Sequence, residues 1–173
     1  MHMNTATSKF NAFPGLYGLI FLTLEPLSTL IPAFATVLIP GGAAWFYNEQ
    51  VPGGAIQSLD VPHTKMLLGQ LVNAYAVIGM VSAFGFRAVQ KALPKNPAAQ
   101  ERIIGASLSV LATADITHII ATAVALPWDI LLSPGTWNGA VHGNIVGSAV
   151  FFFLRMAWFA GIGRQTSSTF KVE

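Results

Sequence analysis

The sequence predicts an all-α protein built as a bundle of four transmembrane helices. Hydrophobic residues make up 53% of its 173 positions and charged residues only 9%, whereas a soluble domain typically carries about 25% charged residues. Four apolar stretches are each long enough to cross the roughly 30 Å of hydrocarbon in a bilayer. This composition excludes a water-soluble surface, and we expect residues 1–173 to form a single integral membrane domain.

Each apolar stretch is long enough for one span, because a helix rises 1.5 Å per residue and needs about 20 residues to cross the bilayer. The first and third connections contain tryptophan, which favours the membrane–water interface. The sequence shows no internal repeat, so one bundle is expected. The spans are expected near 14–39, 64–88, 103–126 and 139–163.

Lysine and arginine residues cluster on one side of this topology. Apart from Lys65, at the start of the second span, the first and third connections contain none. By the positive-inside rule, both termini and the second connection (87–102) face the cytosol. We expect a multi-pass protein of the endoplasmic reticulum membrane. The basic residues on the predicted cytosolic side are Lys9, Arg87, Lys91, Lys95, Arg102, Arg164 and Lys171.

The first span shares some features with a cleaved signal peptide. Lys9 precedes an apolar stretch, and the small-residue sequence Ala-Phe-Ala follows at 33–35. Charge bias does not separate the two alternatives, since removal of this segment leaves the other spans in the same orientation. We expect the segment to be a true span.

Several function classes are excluded by the composition and the motifs. An excess of two basic residues is too small to indicate nucleic-acid binding, and the lack of cysteine rules out thiolate metal sites and thiol nucleophiles. No P-loop, dinucleotide fingerprint or GxSxG elbow occurs. A histidine and two carboxylates lie in the spans, but without HxxxH or ExxH spacing. We therefore expect neither a metal nor another cofactor.

Four ionisable side chains lie inside the predicted spans, namely Glu25, Asp115, His118 and Arg155. Each costs roughly 2.5–3.5 kcal/mol at the centre of a membrane helix, so they are expected to meet in the interior. Asp115 and His118 are three residues apart and share one helix face. Glu25 precedes Pro26, which removes a backbone hydrogen bond and disturbs the first helix. These four residues are the predicted catalytic group.

Neutral polar residues in the spans are candidates for substrate binding. Gln70 and Asn73 share a face of the second span, and Tyr75 follows them. Asn144 lies three helical turns before the arginine of the fourth span, on the same stripe. His142 lies near the non-cytosolic end of that span. We expect these five residues to line a pocket, although a histidine at the position of His142 is more often an interface residue than a ligand.

Acid–base chemistry on an apolar molecule suits such a group. Two carboxyl groups in different surroundings can divide into a proton donor and a proton acceptor, and a cation can hold one of them ionised. Epoxide opening needs this arrangement, because one group protonates the oxirane oxygen while another activates water or a hydroxyl group. The alternative is structural, since Arg155 with Glu25 or Asp115 can simply fix helix register.

Each of the four spans contains a distinctive motif. The motifs are FLTLEPLSTL in the first span, LGQLVNAY in the second, ADITH in the third, and HGNIVG followed by FFFLRMAWFAGIG in the fourth. Together they resemble a family of small fungal four-helix membrane proteins, often encoded beside polyketide or terpenoid biosynthetic genes. The similarity covers nearly the whole chain, with the motifs in the same order.

Some members of that family resemble the membrane-bound epoxide hydrolases of the citreoviridin and aurovertin type of polyketide pathway. The resemblance implies an enzyme that opens polyene-derived epoxides and sets up cyclic ethers. In that reaction Asp115 is the expected base, oriented by His118 or Arg155, and Glu25 or protonated His118 is the expected acid. The pocket residues that the resemblance implies are Glu25, Asn73, Asp115, His118, Asn144 and Arg155.

Two further functions are compatible with the sequence. A sterol- or terpenoid-type isomerase or cyclase also uses buried carboxylates, with aromatic rings around a carbocation. A lipid-binding or scaffold protein would use the polar residues only for packing, without a catalytic role. A homo-oligomer is compatible with either reading. The aromatic candidates are Phe21, Tyr75, Phe151, Phe152 and Trp158.

Overall fold

Four long helices dominate the computed structural model, which describes residues 12–53 and 59–166. In these ranges every regular element is helical, and the four long helices have the length and apolar composition of membrane spans. The predicted all-α, four-span architecture is confirmed, and the chain is a multi-pass membrane protein. Lys9 and Lys171 lie outside the described residues. The helices are α1 (Leu16–Leu38), α2 (Gly42–Glu49), α3 (Pro62–Ala92), α4 (Pro97–Ala125), α5 (Trp128–Leu131) and α6 (Gly139–Phe159).

The second connection is much shorter than the predicted segment 87–102. The third span begins at Pro97, and only residues 93–96 separate it from α3. Alanine, arginine, lysine and glutamine in this segment are strong helix formers, which extends both helices. Asn96 begins α4, because its Oδ1 accepts a hydrogen bond from the Ala99 amide at 3.0 Å.

The first connection, predicted as a loop, contains α2. This helix follows Gly41, whose φ of 78° suits glycine. Gly42 then lies against α1, since a Cβ there would come within 2.1 Å of the Ala35 carbonyl oxygen. Phe46 is buried and packs against Tyr75, with ring centroids 5.7 Å apart. Burial of this aromatic side chain explains why the segment folds back onto the bundle.

The bundle consists of two closely packed helix pairs. Helix α1 packs on α3, and α4 packs on α6. The first pair approaches closely at Gly79, where a Cβ would lie 2.5 Å from Thr29 Oγ1. An aromatic cluster that includes Phe13, Phe21 and Trp158 joins the two pairs near one end. The outer surface is apolar, with side chains such as Val124 81% exposed, as expected of a surface that contacts lipid.

Three of the long helices contain a π-helical turn. The turns span Ile20–Leu24 in α1, Val81–Gly85 in α3 and Gly143–Gly147 in α6. In α1 the turn ends immediately before Glu25 and Pro26, where the sequence predicts a disturbance. Turns of this kind are rare and are frequently found at functional sites.

Arg87 satisfies a carbonyl group that Pro26 leaves without its usual donor. Proline has no amide hydrogen, so the carbonyl of Leu22, four residues earlier, lacks its helical partner. Arg87 Nη2 donates to that carbonyl at 2.7 Å, and its Nη1 donates to the Ala83 carbonyl at 2.7 Å. The guanidinium group thus links the π-turns of α1 and α3, at a carbonyl that lies three residues before Glu25 in the chain.

Replacing Arg87 with methionine is expected to destabilise the bundle by about 1–3 kcal/mol, because the Leu22 carbonyl loses its donor. In a Pro26→Ala background an amide hydrogen is available again, so the same replacement should cost less, with a coupling energy on the order of 1 kcal/mol. The wild type, the two single variants and the double variant form a double-mutant cycle, and their free energies of unfolding are measured in detergent–lipid micelles. Lys91→Met, at an exposed position on the same helix, is the matched control. If Arg87→Met lowers the free energy of unfolding equally in the wild type and in the Pro26→Ala variant, Arg87 does not replace the missing proline donor at the Leu22 carbonyl.

Candidate functional site

The core of the bundle contains an ion triad of Glu25, Asp115 and Arg155. Arg155 Nη2 donates to Glu25 Oε1 at 2.7 Å, and Arg155 Nη1 donates to Asp115 Oδ2 at 2.5 Å. The side chains of Arg155 and Glu25 are 2% and 6% exposed, and that of Asp115 is 12% exposed. Three helices, α1, α4 and α6, each contribute one member. The predicted convergence of these charges is present in the structure.

Two aromatic rings lie close to the arginine of the triad. The guanidinium carbon of Arg155 lies 5.5 Å from the ring centroid of Phe21 and 5.8 Å from that of Phe151. Cation–π contacts of this kind stabilise a desolvated guanidinium group. Glu25 Oε2 and Arg155 Nε are buried and make no hydrogen bond within the described part of the chain. The triad therefore retains one acceptor and one donor for a further polar group.

A second polar group, formed by Tyr75, His118 and Asn144, lies in the next layer of the bundle. The Tyr75 hydroxyl donates to Asn144 Oδ1 at 3.3 Å. The rings of Tyr75 and His118 meet edge to face, with centroids 6.4 Å apart. All three residues are half-buried. Helices α3, α4 and α6 bring them together.

Helix periodicity connects the two layers. His118 follows Asp115 by three residues on α4, and Asn144 precedes Arg155 by eleven residues on α6, so both pairs lie on common stripes. Asp115 and His118 make no hydrogen bond to each other in the described structure, and Asp115 is held by Arg155 instead. Of the two orienting groups predicted from the sequence, the arginine is the one that hydrogen-bonds to Asp115 in the described residues.

Three of the predicted substrate-binding residues lie away from the triad. Asn73 lines an apolar groove of about 620 Å³ between α1, α2 and α3, and Gln70 lines an adjoining cavity of about 530 Å³. Neither of these cavities is bordered by the triad. His142 is exposed and packs its ring edge to face against Trp137, with centroids 5.3 Å apart. Among the predicted binding residues, only Tyr75 and Asn144 join the interior polar layers.

The described ranges 12–53 and 59–166 contain no group of three histidine, cysteine, aspartate or glutamate side chains that could hold a metal ion. The two carboxylates, Glu25 and Asp115, both pair with the guanidinium group of Arg155. The chemistry that this arrangement offers is proton transfer and charge stabilisation between a fixed cation and two acids.

Sequence reasoning missed Arg87 as part of the site. The sequence analysis used Arg87 only as a positive charge that orients the chain in the membrane. In the structure its guanidinium group donates to the carbonyl of Leu22, three residues before Glu25. The available signal was Pro26, because a proline inside a membrane helix leaves a carbonyl that another helix must satisfy.

The sequence profile of a family described as "Domain of unknown function (DUF7704)" matches residues 10–165. This range contains both polar layers and all four spans. No curated protein and no solved structure matches the chain.

Proposed function

We propose that this chain, which belongs to the DUF7704 family, is a membrane-embedded enzyme that opens an epoxide of an apolar, polyketide-type substrate. The observation that carries the proposal is the ion triad, in which one buried guanidinium group holds two carboxyl groups from different helices. Burial of three charged residues is expensive in a bilayer, and such residues commonly mark functional sites.

The proposed reaction balances one proton donor against one proton acceptor. Asp115 removes a proton from water or from a substrate hydroxyl group, whose oxygen forms the new bond to an oxirane carbon. Glu25 or protonated His118 donates a proton to the oxirane oxygen as its carbon–oxygen bond breaks. Transfer of the proton from Asp115 back to the acid restores the enzyme. Water as nucleophile gives a diol, and an internal hydroxyl group gives a cyclic ether.

The different exposure of the two carboxyl groups supports this division of roles. Asp115 is the more open member of the triad, and Glu25 is nearly enclosed. Asp115 also lies one helical turn from His118, which contacts Tyr75. We assign the positioning of the substrate to Tyr75 and Asn144, which are hydrogen-bonded to each other in the layer that contains His118. An apolar substrate would reach this layer from the lipid that surrounds the bundle.

A terpenoid-type isomerase or cyclase is the second candidate, because aromatic rings border the acids. The rings of Phe21 and Phe151 already face the Arg155 guanidinium group, however, and a carbocation would have to compete with it for those faces. This occupancy favours the epoxide proposal. A scaffold or lipid-binding protein with a purely structural triad is the third candidate, and it predicts no turnover.

Microsomes that contain the protein distinguish these candidates when they are incubated with a polyene-derived epoxide or an isoprenoid alcohol in ¹⁸O-labelled water. We expect consumption of the epoxide, with label in a diol product or without label in a cyclic ether. Membranes without the protein are the control. Conversion of the isoprenoid alcohol alone would support the isomerase or cyclase function. If neither substrate is converted, the result supports a scaffold or lipid-binding protein without catalytic activity. The endoplasmic reticulum is the proposed location, and cofractionation with its markers tests this.

A further inference from the structure

Two carboxamide side chains on α3 face out of the bundle. Gln70 and Asn73 are both exposed, and neither makes a hydrogen bond with residues 12–53 or 59–166. Together with Met66, Gly69 and Val77 they occupy one stripe of the helix, which we name the carboxamide face. All five residues are exposed. The stripe lies away from the ion triad, and its Gly69 and Asn73 border the open groove between α1, α2 and α3.

The carboxamide face lies partly within the hydrocarbon layer. Helix α3 has 31 residues and is about 46 Å long, so about 8 Å extends beyond the hydrocarbon at each end when it is centred. Gln70 and Asn73 follow the start of the helix by eight and eleven residues, or about 12 and 16 Å. Both amides therefore lie below the interface, where an unsatisfied polar group is costly.

Exposed polar side chains on α4 are satisfied in a different way. The hydroxyl groups of Ser109, Thr113 and Thr117 each donate to the carbonyl group one turn earlier, at 3.0, 3.1 and 3.1 Å. These side chains need no partner outside their own helix. A carboxamide has two donor hydrogens and an acceptor oxygen. Those of Gln70 and Asn73 have no hydrogen-bond partner among residues 12–53 and 59–166, so they can bond to another molecule.

We propose that the carboxamide face pairs with the same face of a second copy of the chain, which makes the protein a homodimer in the membrane. A two-fold axis along the membrane normal keeps each residue at the depth of its counterpart. A carboxamide is both donor and acceptor, so Gln70 and Asn73 are complementary to themselves across such an axis. Polar side chains of this kind hold membrane helices together.

Two other features of this face fit a second copy. A Cβ at Gly69 would meet no atom within 4 Å, so the backbone is open to close approach by another helix. At the outer end, Lys65 Nζ lies 3.1 Å from Asp60 Oδ1, and both side chains are well exposed. Opposite charges on one face allow the same ion pair to form between copies. The dimer gives Gln70 and Asn73 a role other than the substrate binding predicted from the sequence.

Cysteine cross-linking tests the dimer directly, because the chain contains no cysteine. Single cysteines at Met66 and Val77 report on the carboxamide face, and cysteines at Val110 and Phe153, which are 70% and 68% exposed on other helices, are matched controls. After mild oxidation in membranes, we expect disulfide-linked dimers at Met66 and Val77 and none at the control positions. Equal cross-linking at all four positions, or none at Met66 and Val77, overturns the proposal.

The role of the amides is tested in the Met66→Cys protein. Gln70→Leu with Asn73→Leu is expected to weaken dimerisation about tenfold, whereas Asn73→Gln keeps a carboxamide and is expected to retain the dimer. Thr113→Leu with Thr117→Leu on α4 is the control pair. Thermal unfolding of each variant confirms that the bundle is intact. Undiminished cross-linking in the double leucine variant overturns the assignment to the amides. This result does not depend on whether the chain acts on epoxides.

Discussion

Replacing Arg155 with methionine is expected to lower the free energy of unfolding by about 3–5 kcal/mol. The replacement keeps an apolar side chain beside Phe21 and Phe151 but removes the only cation that contacts Glu25 and Asp115 in the described structure. Two acids then remain in the core without a cation, and removal of one partner from a buried ion network is strongly destabilising. Unfolding titrations in detergent–lipid micelles measure the loss.

A triple replacement separates the loss of charge balance from the loss of packing. Glu25→Leu, Asp115→Leu and Arg155→Met together remove every charge of the triad, and replacement of a buried ion network by apolar side chains is often neutral or stabilising. The triple variant should therefore regain most of the stability that the single variant loses. Arg102→Met, at an exposed position, is the control and is expected to stay within about 0.5 kcal/mol of the wild type. An equally unstable triple variant would show that packing at these positions dominates.

Asp115→Asn is expected to reduce epoxide turnover by about 10²–10⁴-fold while leaving the fold intact. Asparagine has nearly the same shape but cannot accept a proton from water or a hydroxyl group at neutral pH. Arg155 keeps its hydrogen bond to Glu25, so the arginine still has one carboxyl partner. Product formation by equal amounts of folded protein in microsomes gives the ratio of rates.

Asp129→Asn is the matched control for this change, because Asp129 is exposed on α5, outside the four spans. Its turnover is expected to equal that of the wild type. The thermal midpoint of Asp115→Asn should lie near the wild-type value, which separates loss of chemistry from loss of structure. A wild-type rate in Asp115→Asn would remove Asp115 from the mechanism even if epoxides are substrates.

The spans and the triad are predictable from the sequence because both depend on the bilayer. Its thickness determines how long an apolar helix must be, and its low polarity forces Glu25, Asp115 and Arg155 to meet. Neither argument needs the details of side-chain packing. The same physical reasons bring the predicted pair of α4, Asp115 and His118, to the inside of the bundle.

The direction of the polar face on α3 could not be predicted in the same way. A three-residue spacing places Gln70 and Asn73 on one side of a helix, but it does not tell whether that side faces the core or the lipid. Tyr75, two residues further on, points to the interior instead and bonds to Asn144. Both faces of α3 carry a polar group, so periodicity alone gives no unique answer. The direction depends on how α3 packs against α1, which is set by contacts such as Gly79 with Thr29.

The π-turns also escape sequence analysis, and they have a consequence for how the length of this chain can vary. A π-turn closes its hydrogen bond five residues back, so it holds one residue more than an α-helical turn. Deletion of one residue within Ile20–Leu24 would restore a regular helix and keep Glu25 on its original side. In α4, which is α-helical throughout Pro97–Ala125, one residue lost before Asp115 would rotate the carboxylate by about 100° relative to the start of the helix. Homologous chains should therefore tolerate gaps of a single residue in α1, α3 and α6 at these turns, and a gap in α4 should abolish the contact between Asp115 and Arg155.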